Sequence, residues 1–220
     1  MRDEKILYFS PSEFMILLEL AEGPACSLLS DGTRPEDHKL TAAFTSLFQR
    51  GLIQRDKDGF VLSAAGKIFA GIRNAPWAVY ISGRSGGTSL CYWSKDSLWL
   101  AELADVILAT QYRVRRLDRP GLEQWLFDSG LLAPPSLTAE DVCELESLPE
   151  EEPEDAVIQP LLRLEKHING GPAVEIYQIY KRGGRWRICR DSGNQDVYYT
   201  REALSDMLTD CFGKEDYDRC

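Results

Sequence analysis

The chain is poor in the residues that most often do chemistry. It has two histidines in 220 residues, His38 and His167. Neither stands among nitrogen, thiolate or carboxylate groups at the spacing a metal centre requires. Both read as ordinary surface or helix residues. Its six cysteines, Cys26, Cys91, Cys143, Cys189, Cys211 and Cys220, are scattered. No two form a Cys-x-x-Cys pair, so no zinc site or disulfide framework is indicated. Nowhere does an apolar run reach the roughly 18 residues of a membrane span. The opening MRDEKILYFSPSEF has no long apolar run after its charges, which predicts no signal peptide. The thiols are therefore expected to be reduced and the protein cytoplasmic. Positive charge is short as well. The formal net charge is -10, and an acidic chain is repelled by nucleic acid and by anionic membranes unless a local patch overrides the average. Neither is an expected partner.

Catalytic patterns are missing too. No serine sits in a nucleophile elbow, and no cysteine has a nearby base. Gly83-Arg84-Ser85-Gly86-Gly87-Thr88-Ser89 has the composition of a phosphate loop. Such loops lead from a strand into a helix, whose N-terminus faces the anion. Here both flanks read as strands, so the stretch is a hairpin turn. The expectation is a protein with no catalytic residue, no metal and no cofactor, and not an enzyme.

What is present is pattern, clearest from Glu36 to Gly66. Leu40, Ala43, Phe44, Leu47 and Phe48 recur at the spacing of one buried helix face. Gly51 follows as a left-handed stop. Leu52-Ile53, the turn Asp56-Lys57-Asp58-Gly59, and Phe60-Val61-Leu62 make a hairpin. Ser63 can cap a further helix carrying Ile68, Phe69 and Ile72. Ahead of this, Ser10-Pro11-Ser12-Glu13 is a helix start with a capping box, and Phe14, Leu17, Leu18 and Ala21 form its apolar face. A short helical piece is expected around Cys26 to Leu29.

From Trp77 the period becomes alternating. Strands are expected at Trp77–Ile81, Thr88–Trp93, Ser97–Glu102 and Gln111–Leu117, with 103–110 either extending a strand or forming a helix turn. Asp118 can cap a helix with Leu122, Trp125 and Leu126 inward. From Thr138 to Asp155 nine acids occur with no basic residue, and Pro149 and Pro153 break the run. A charge block of this kind reads as a solvated linker, with one turn of helix around Val142 and Leu145. A helix is expected from Pro160 to about Ile168. A hairpin about Gly183-Gly184 follows, then a strand at Val197–Thr200. A last helix runs from Arg201 to Phe212, and a polar tail ends the chain.

Two segments look alike. Ala78-Val79-Tyr80-Ile81 resembles Ala173-Val174-Glu175-Ile176, and downstream Asp118 and Leu122 fall opposite Thr200 and Leu204. Duplication and chance similarity both fit. The expected fold is α+β: an N-terminal winged-helix-like unit (1–75), an antiparallel sheet plus helix (76–135), an acidic linker (136–156) and a second sheet-plus-helix unit (157–220).

Two basic clusters stand against the acidic average. One is Arg113, Arg115, Arg116 and Arg119. The other is Lys181, Arg182, Arg185, Trp186, Arg187 and Arg190, where Trp186 and Ile188 alternate with Arg185 and Arg187. This second set is the candidate surface for an anionic partner. A solvated sheet face, or internal pairing with Glu150–Asp155, fits the same residues.

Two functions fit the chain. The Glu36–Gly66 stretch resembles winged-helix regulators, which place the helix before the wing in the major groove. That implies a DNA-binding regulator with a C-terminal sensing or oligomerisation region. Over most of its length the chain also resembles the EspG family of type VII secretion chaperones. The resemblance rests on the order of elements, on Arg50-Gly51-Leu52 after the leucine-rich helix, and on the strand and capped helix ending at Leu131-Leu132-Ala133-Pro134. The Thr138–Asp155 linker and the short second half depart from the family pattern. The resemblance implies a cytoplasmic, non-enzymatic protein that binds the tips of helical secreted proteins. It assigns no individual binding residue and no oligomeric state. The acidity and the lack of catalytic motifs place this reading ahead of the regulator.

Overall fold

The computed structural model describes residues 6–21, 36–73, 75–84, 88–94, 97–106, 109–138, 141–142, 160–168, 171–191 and 196–213. The protein is α+β, and every strand pair of described register is antiparallel. The chain forms two compact units. The first comprises Met1–Ala78, Ser89–Asp118 and Ile168–Pro172; the second comprises Val79–Thr88, Arg119–His167 and Ala173–Cys220. Among the described residues no helix is long and apolar enough to cross a membrane.

The first unit opens with a three-residue strand, β1 (Leu7–Phe9), that the residue pattern does not announce. Helix α1 (Pro11–Leu20) starts as its residues dictate. The Glu13 backbone N–H donates to Ser10 Oγ, and the Ser10 backbone N–H donates to the Glu13 carboxylate. Phe14, Ile16, Leu17 and Ala21 are buried. Helix α2 (Asp37–Gln49) ends at Arg50, and Gly51 turns the chain at φ 67°. Strands β2 (Ile53–Asp56) and β3 (Gly59–Leu62) form the expected hairpin. The Ser63 hydroxyl accepts from the Gly66 N–H and donates to the Gly51 carbonyl, fixing the turn into α3 (Ile68–Arg73). Strands β5 (Thr88–Ser94), β6 (Ser97–Val106) and β7 (Ala109–Leu117) complete the unit in the order β1-β7-β6-β5. Residues 103–106 and 109–110 extend β6 and β7, which settles the choice between strand and helix there.

The apolar stripe of α2 is wider than the face it buries. Ala43 and Leu47 are buried, Leu40 and Phe44 half-buried, and Phe48 is 53% exposed. Phe48 was expected inside. It leans instead on the edge of Phe60, which Phe44 also touches. The short hairpin is too narrow to cover all three rings, and Phe60 itself is 42% exposed.

In the second unit the strand order is β4-β8-β9-β10-β11, with β4 (Trp77–Gly83), β8 (Leu162–Ile168), β9 (Ala173–Arg182), β10 (Arg185–Arg190) and β11 (Asp196–Tyr198). Helix α4 (Arg119–Asp128) buries Leu122, Trp125 and Leu126. Helix α5 (Arg201–Phe212) starts at Thr200, whose side chain accepts from the Ala203 N–H. It buries Leu204, Met207, Leu208, Cys211 and Phe212.

The expected helix at 160–168 is a strand. Leu162 and Leu164 are buried while Arg163 and Glu165 are half-exposed, and Leu162 to Glu165 pair with Ile179 to Ile176. The alternation Leu-Arg-Leu-Glu has period two, and β9 offers it a ladder. That outweighs the helix-compatible Pro160. Asp141 and Val142 are helical, started by reciprocal bonds between Thr138 and Asp141. The rest of the acidic run, the piece at 26–29 and the polar tail lie outside the described residues.

Leu47 is fully buried at the centre of α2. Leu47→Ala is expected to destabilise the first unit by roughly 2–5 kcal/mol, the usual cost of truncating a buried leucine. Chemical denaturation will measure it; a change below about 0.5 kcal/mol is the signature of a surface position and contradicts this packing.

Candidate functional site

The β9–β10 hairpin turns on Gly183 and Gly184, at φ 54° and 76°. Consecutive left-handed residues match the twist of a tight hairpin, and glycine adopts them without strain. The turn sets the register: Arg182 faces Arg185, Lys181 faces Trp186, Tyr180 faces Arg187, and Tyr177 faces Arg190. Side chains alternate along each strand, so the six candidate residues divide between two faces. Arg182, Arg185 and Arg187 share a face with Tyr180. Lys181, Trp186 and Arg190 share the other with Tyr177 and Ile188.

On the first face the positive charge is drawn inward. Arg187 is 8% exposed, and its guanidinium lies 3.7 Å above the centre of the Tyr198 ring. The Asp196 carboxylate is 3.8 Å from Arg187 and 3.9 Å from Arg182. It also accepts the Tyr180 hydroxyl at 2.5 Å. Arg185 donates to the Tyr198 hydroxyl at 3.2 Å. A buried guanidinium is tolerable only when paired in this way. Asp196 is the acid that sequence reasoning missed. An isolated aspartate carries no local signal, and only the β10–β11 register brings it to Arg187.

The second face meets α5. Tyr177 donates to Asp210 at 2.9 Å. Arg190 donates to Glu175 at 2.8 Å and stands 3.9 Å from Asp210. Lys166 lies 3.5 Å from Glu175 and donates to the Asp210 carbonyl at 2.8 Å. Beside α5 a groove of about 480 Å³ opens within this unit. Its apolar lining is Val142, Ile188, Val197, Ala203 and Met207; its charged lining includes Arg187, Arg190, Asp196, Glu202, Asp206 and Asp210. Of the six candidate residues only Arg187 and Arg190 reach it. Glu202, Asp206 and Asp210 are four residues apart, on one helix face. That spacing was legible in the sequence but attracts no attention beside the apolar positions.

In the other basic cluster Arg113, Arg115 and Arg119 are also engaged, while Arg116 is exposed. Arg113 and Arg115 clamp the buried carboxylate of Glu102 at 2.8–3.0 Å. The Glu102 hydrogen bond holds the Arg113 guanidinium above its usual value. Arg119 donates to the Ser205 carbonyl and to Thr209 Oγ1. Cys91 is fully buried, which raises its thiol far out of the reactive range. His167 packs edge-on against Tyr80 and lies 3.4 Å from Glu165; His38 is exposed near Glu36. Among the described residues no group of three or more His, Cys, Asp or Glu side chains could hold a metal ion.

The chain matches no protein-family model, and comparison with curated proteins gives no match.

Tyr177 and Tyr180 hold their protons more tightly than free tyrosine does. Burial is the larger cause, and the bonds to Asp210 and Asp196 come second. Burial likewise raises Tyr199, and pushes Cys211 up to about 12. A raised group stabilises the fold fully below its unfolded value and ceases to as pH rises toward the folded one. A free thiol titrates at about 8.5 and a free phenol at about 10. The urea midpoint is therefore expected to change little between about pH 7 and about pH 9 and to fall above that. A Tyr177→Phe/Tyr180→Phe variant should fall less steeply over the same range. Equal slopes for the two proteins contradict this assignment.

Proposed function

We propose that this protein is a non-enzymatic, cytoplasmic interaction module whose partner is a helical secreted protein of a type VII-like secretion system. The observation that carries the interaction reading is the groove beside α5. It presents valine and methionine side chains together with outward carboxylates, in a space sized for a few side chains of a partner. The pairing of the argininium groups with Asp196, Glu175, Asp210 and Glu102 supports structure rather than catalysis as their role. The secretion partner rests on the resemblance to EspG chaperones.

The alternative is a winged-helix DNA-binding regulator, with α2 as the groove-entering helix. The chemistry of α2 speaks against it. Arg50 donates to Glu13 at 3.1 Å and to the Tyr8 carbonyl at 2.9 Å, and it stacks over Phe9. Lys39 stands 3.5 Å from Glu36. The hairpin sequence Arg55-Asp56-Lys57-Asp58 cancels its own charge. Few counterions would be released by such a surface, and counterion release carries most non-specific affinity for DNA. Phe48 and Phe60 also project from this region, and exposed rings suit protein contact better than phosphate contact.

The test is co-expression with helical-hairpin secreted proteins encoded beside the gene, followed by size-exclusion chromatography. A soluble complex with one of them is expected, along with no submicromolar binding to random or promoter-derived duplexes at physiological salt. Elution alone in every case, combined with submicromolar duplex binding that Lys39→Ala abolishes, would replace this reading with the regulator.

A further inference from the structure

The charges around the groove do not balance, and the imbalance is local. At the C-terminal half of α5, Arg190 and Lys166 are matched by Glu175 and Asp210. Arg187 is matched by Asp196. Glu202 and Asp206 remain at the N-terminal half. Both are exposed, and among the described residues neither enters an ion pair. Glu202 lies in the first turn, where the helix dipole favours an acid. Asp206 is one turn further on, where that benefit has faded and Glu202 repels it. The groove also carries an open apolar side chain, Val197, 51% exposed on the edge strand β11, and is lined by the buried Met207.

We infer that the groove beside α5 takes a basic segment of a protein partner, whose lysine or arginine side chains meet Glu202 and Asp206 and whose apolar side chain meets Val197 and Met207. This deepens the interaction reading above and rests on it. It reverses the charge expected from the Lys181–Arg190 cluster, because Arg182, Arg185, Arg187 and Arg190 are engaged and these carboxylates are not. The two acids are four residues apart on a helix, or about 6 Å along its axis. Two lysines four residues apart on a partner helix have the same separation, so a helical basic segment fits in register.

The experiment is fluorescence polarisation of the full-length protein with three labelled helical peptides. One carries two lysines four residues apart around a leucine; the second replaces the lysines with glutamate; the third replaces the leucine with serine. The basic peptide is expected to bind at least about tenfold more tightly than either relative, and to weaken as salt rises. Glu202→Gln/Asp206→Asn should lower its affinity about tenfold and flatten the salt dependence. Both substitutions are on an exposed helix face and relieve repulsion, so the variant should fold; a urea midpoint confirms it. Asp58→Asn, on the β2–β3 turn of the first unit, is the control and should change nothing. Equal binding of basic and acidic peptides, no binding of the basic peptide, or indifference to the double variant overturns the inference. A secreted partner that co-elutes equally with wild type and double variant also overturns it, and leaves the interaction reading standing. Peptide binding without any co-eluting secreted protein leaves the groove assignment standing and removes the secretion reading.

Discussion

The carboxylate of Glu13 holds the first unit together. It is 7% exposed, and it accepts from the Ser10 N–H at 2.7 Å, from Ser46 Oγ at 2.6 Å and from Arg50 at 3.1 Å. Through Arg50 it also reaches β1, because the same guanidinium donates to the Tyr8 carbonyl and lies 4.5 Å from the centre of the Phe9 ring. One side chain thereby joins the start of α1, the last turn of α2 and the edge strand. A carboxylate out of water is costly unless every partner is present, so these contacts form together or not at all. The functional consequence follows directly. Arg50 is the cation a DNA-reading α2 would use, and it is engaged in holding the fold.

The same device recurs. Glu102 gathers Arg113 and Arg115 across β6 and β7, and Asp196 gathers Arg182, Arg187 and the Tyr180 hydroxyl across β9 to β11. Each is a cross-strand arrangement that requires correct register on both sides. An ion pair between neighbouring strands penalises a one-residue slip, which would carry every side chain to the opposite face. The guanidinium groups of Arg113, Arg115, Arg182 and Arg187 thus favour one strand pairing. An acidic protein with two visible runs of arginine consequently offers less positive surface than its sequence implies.

Much of the fold was legible because it is locally encoded. The capping box at Ser10 and Glu13, the stop at Gly51, the hairpin turn at Gly183-Gly184 and the Thr200 cap each involve residues within a few positions of one another. Features set by long-range contact were not legible. Strand β1 exists because β7 offers it an edge. The segment at 162–168 became a strand because β9 completes a ladder, although its leucines also suit a helix. Phe48 has the spacing of a core residue and is exposed because nothing opposite α2 is broad enough to cover it. The candidate site follows the same division. The arginine residues were visible as a cluster, while Asp196, Glu175 and Asp210 lie apart in the sequence and are brought to it by register alone.

Charge decides how the second unit presents itself. Where a carboxylate lies between strands or faces the sheet, as Asp196, Glu175 and Asp210 do, arginine, lysine or tyrosine meets it. Where a carboxylate lies on the outer turn of α5, as Glu202 and Asp206 do, no such partner stands by among the described residues. Surface acids of this kind usually serve solvation. These two differ in position: they border a concavity that also exposes Val197 and holds Met207. Solvation needs neither the concavity nor the apolar lining. A cation with a hydrocarbon stem uses all three at once, since its head meets the acids while its methylenes cover the valine. A phosphate or an acidic peptide would meet repulsion at the same place. The geometry of the groove therefore favours lysine and arginine over any anion, although the arginine-rich hairpin is part of its wall.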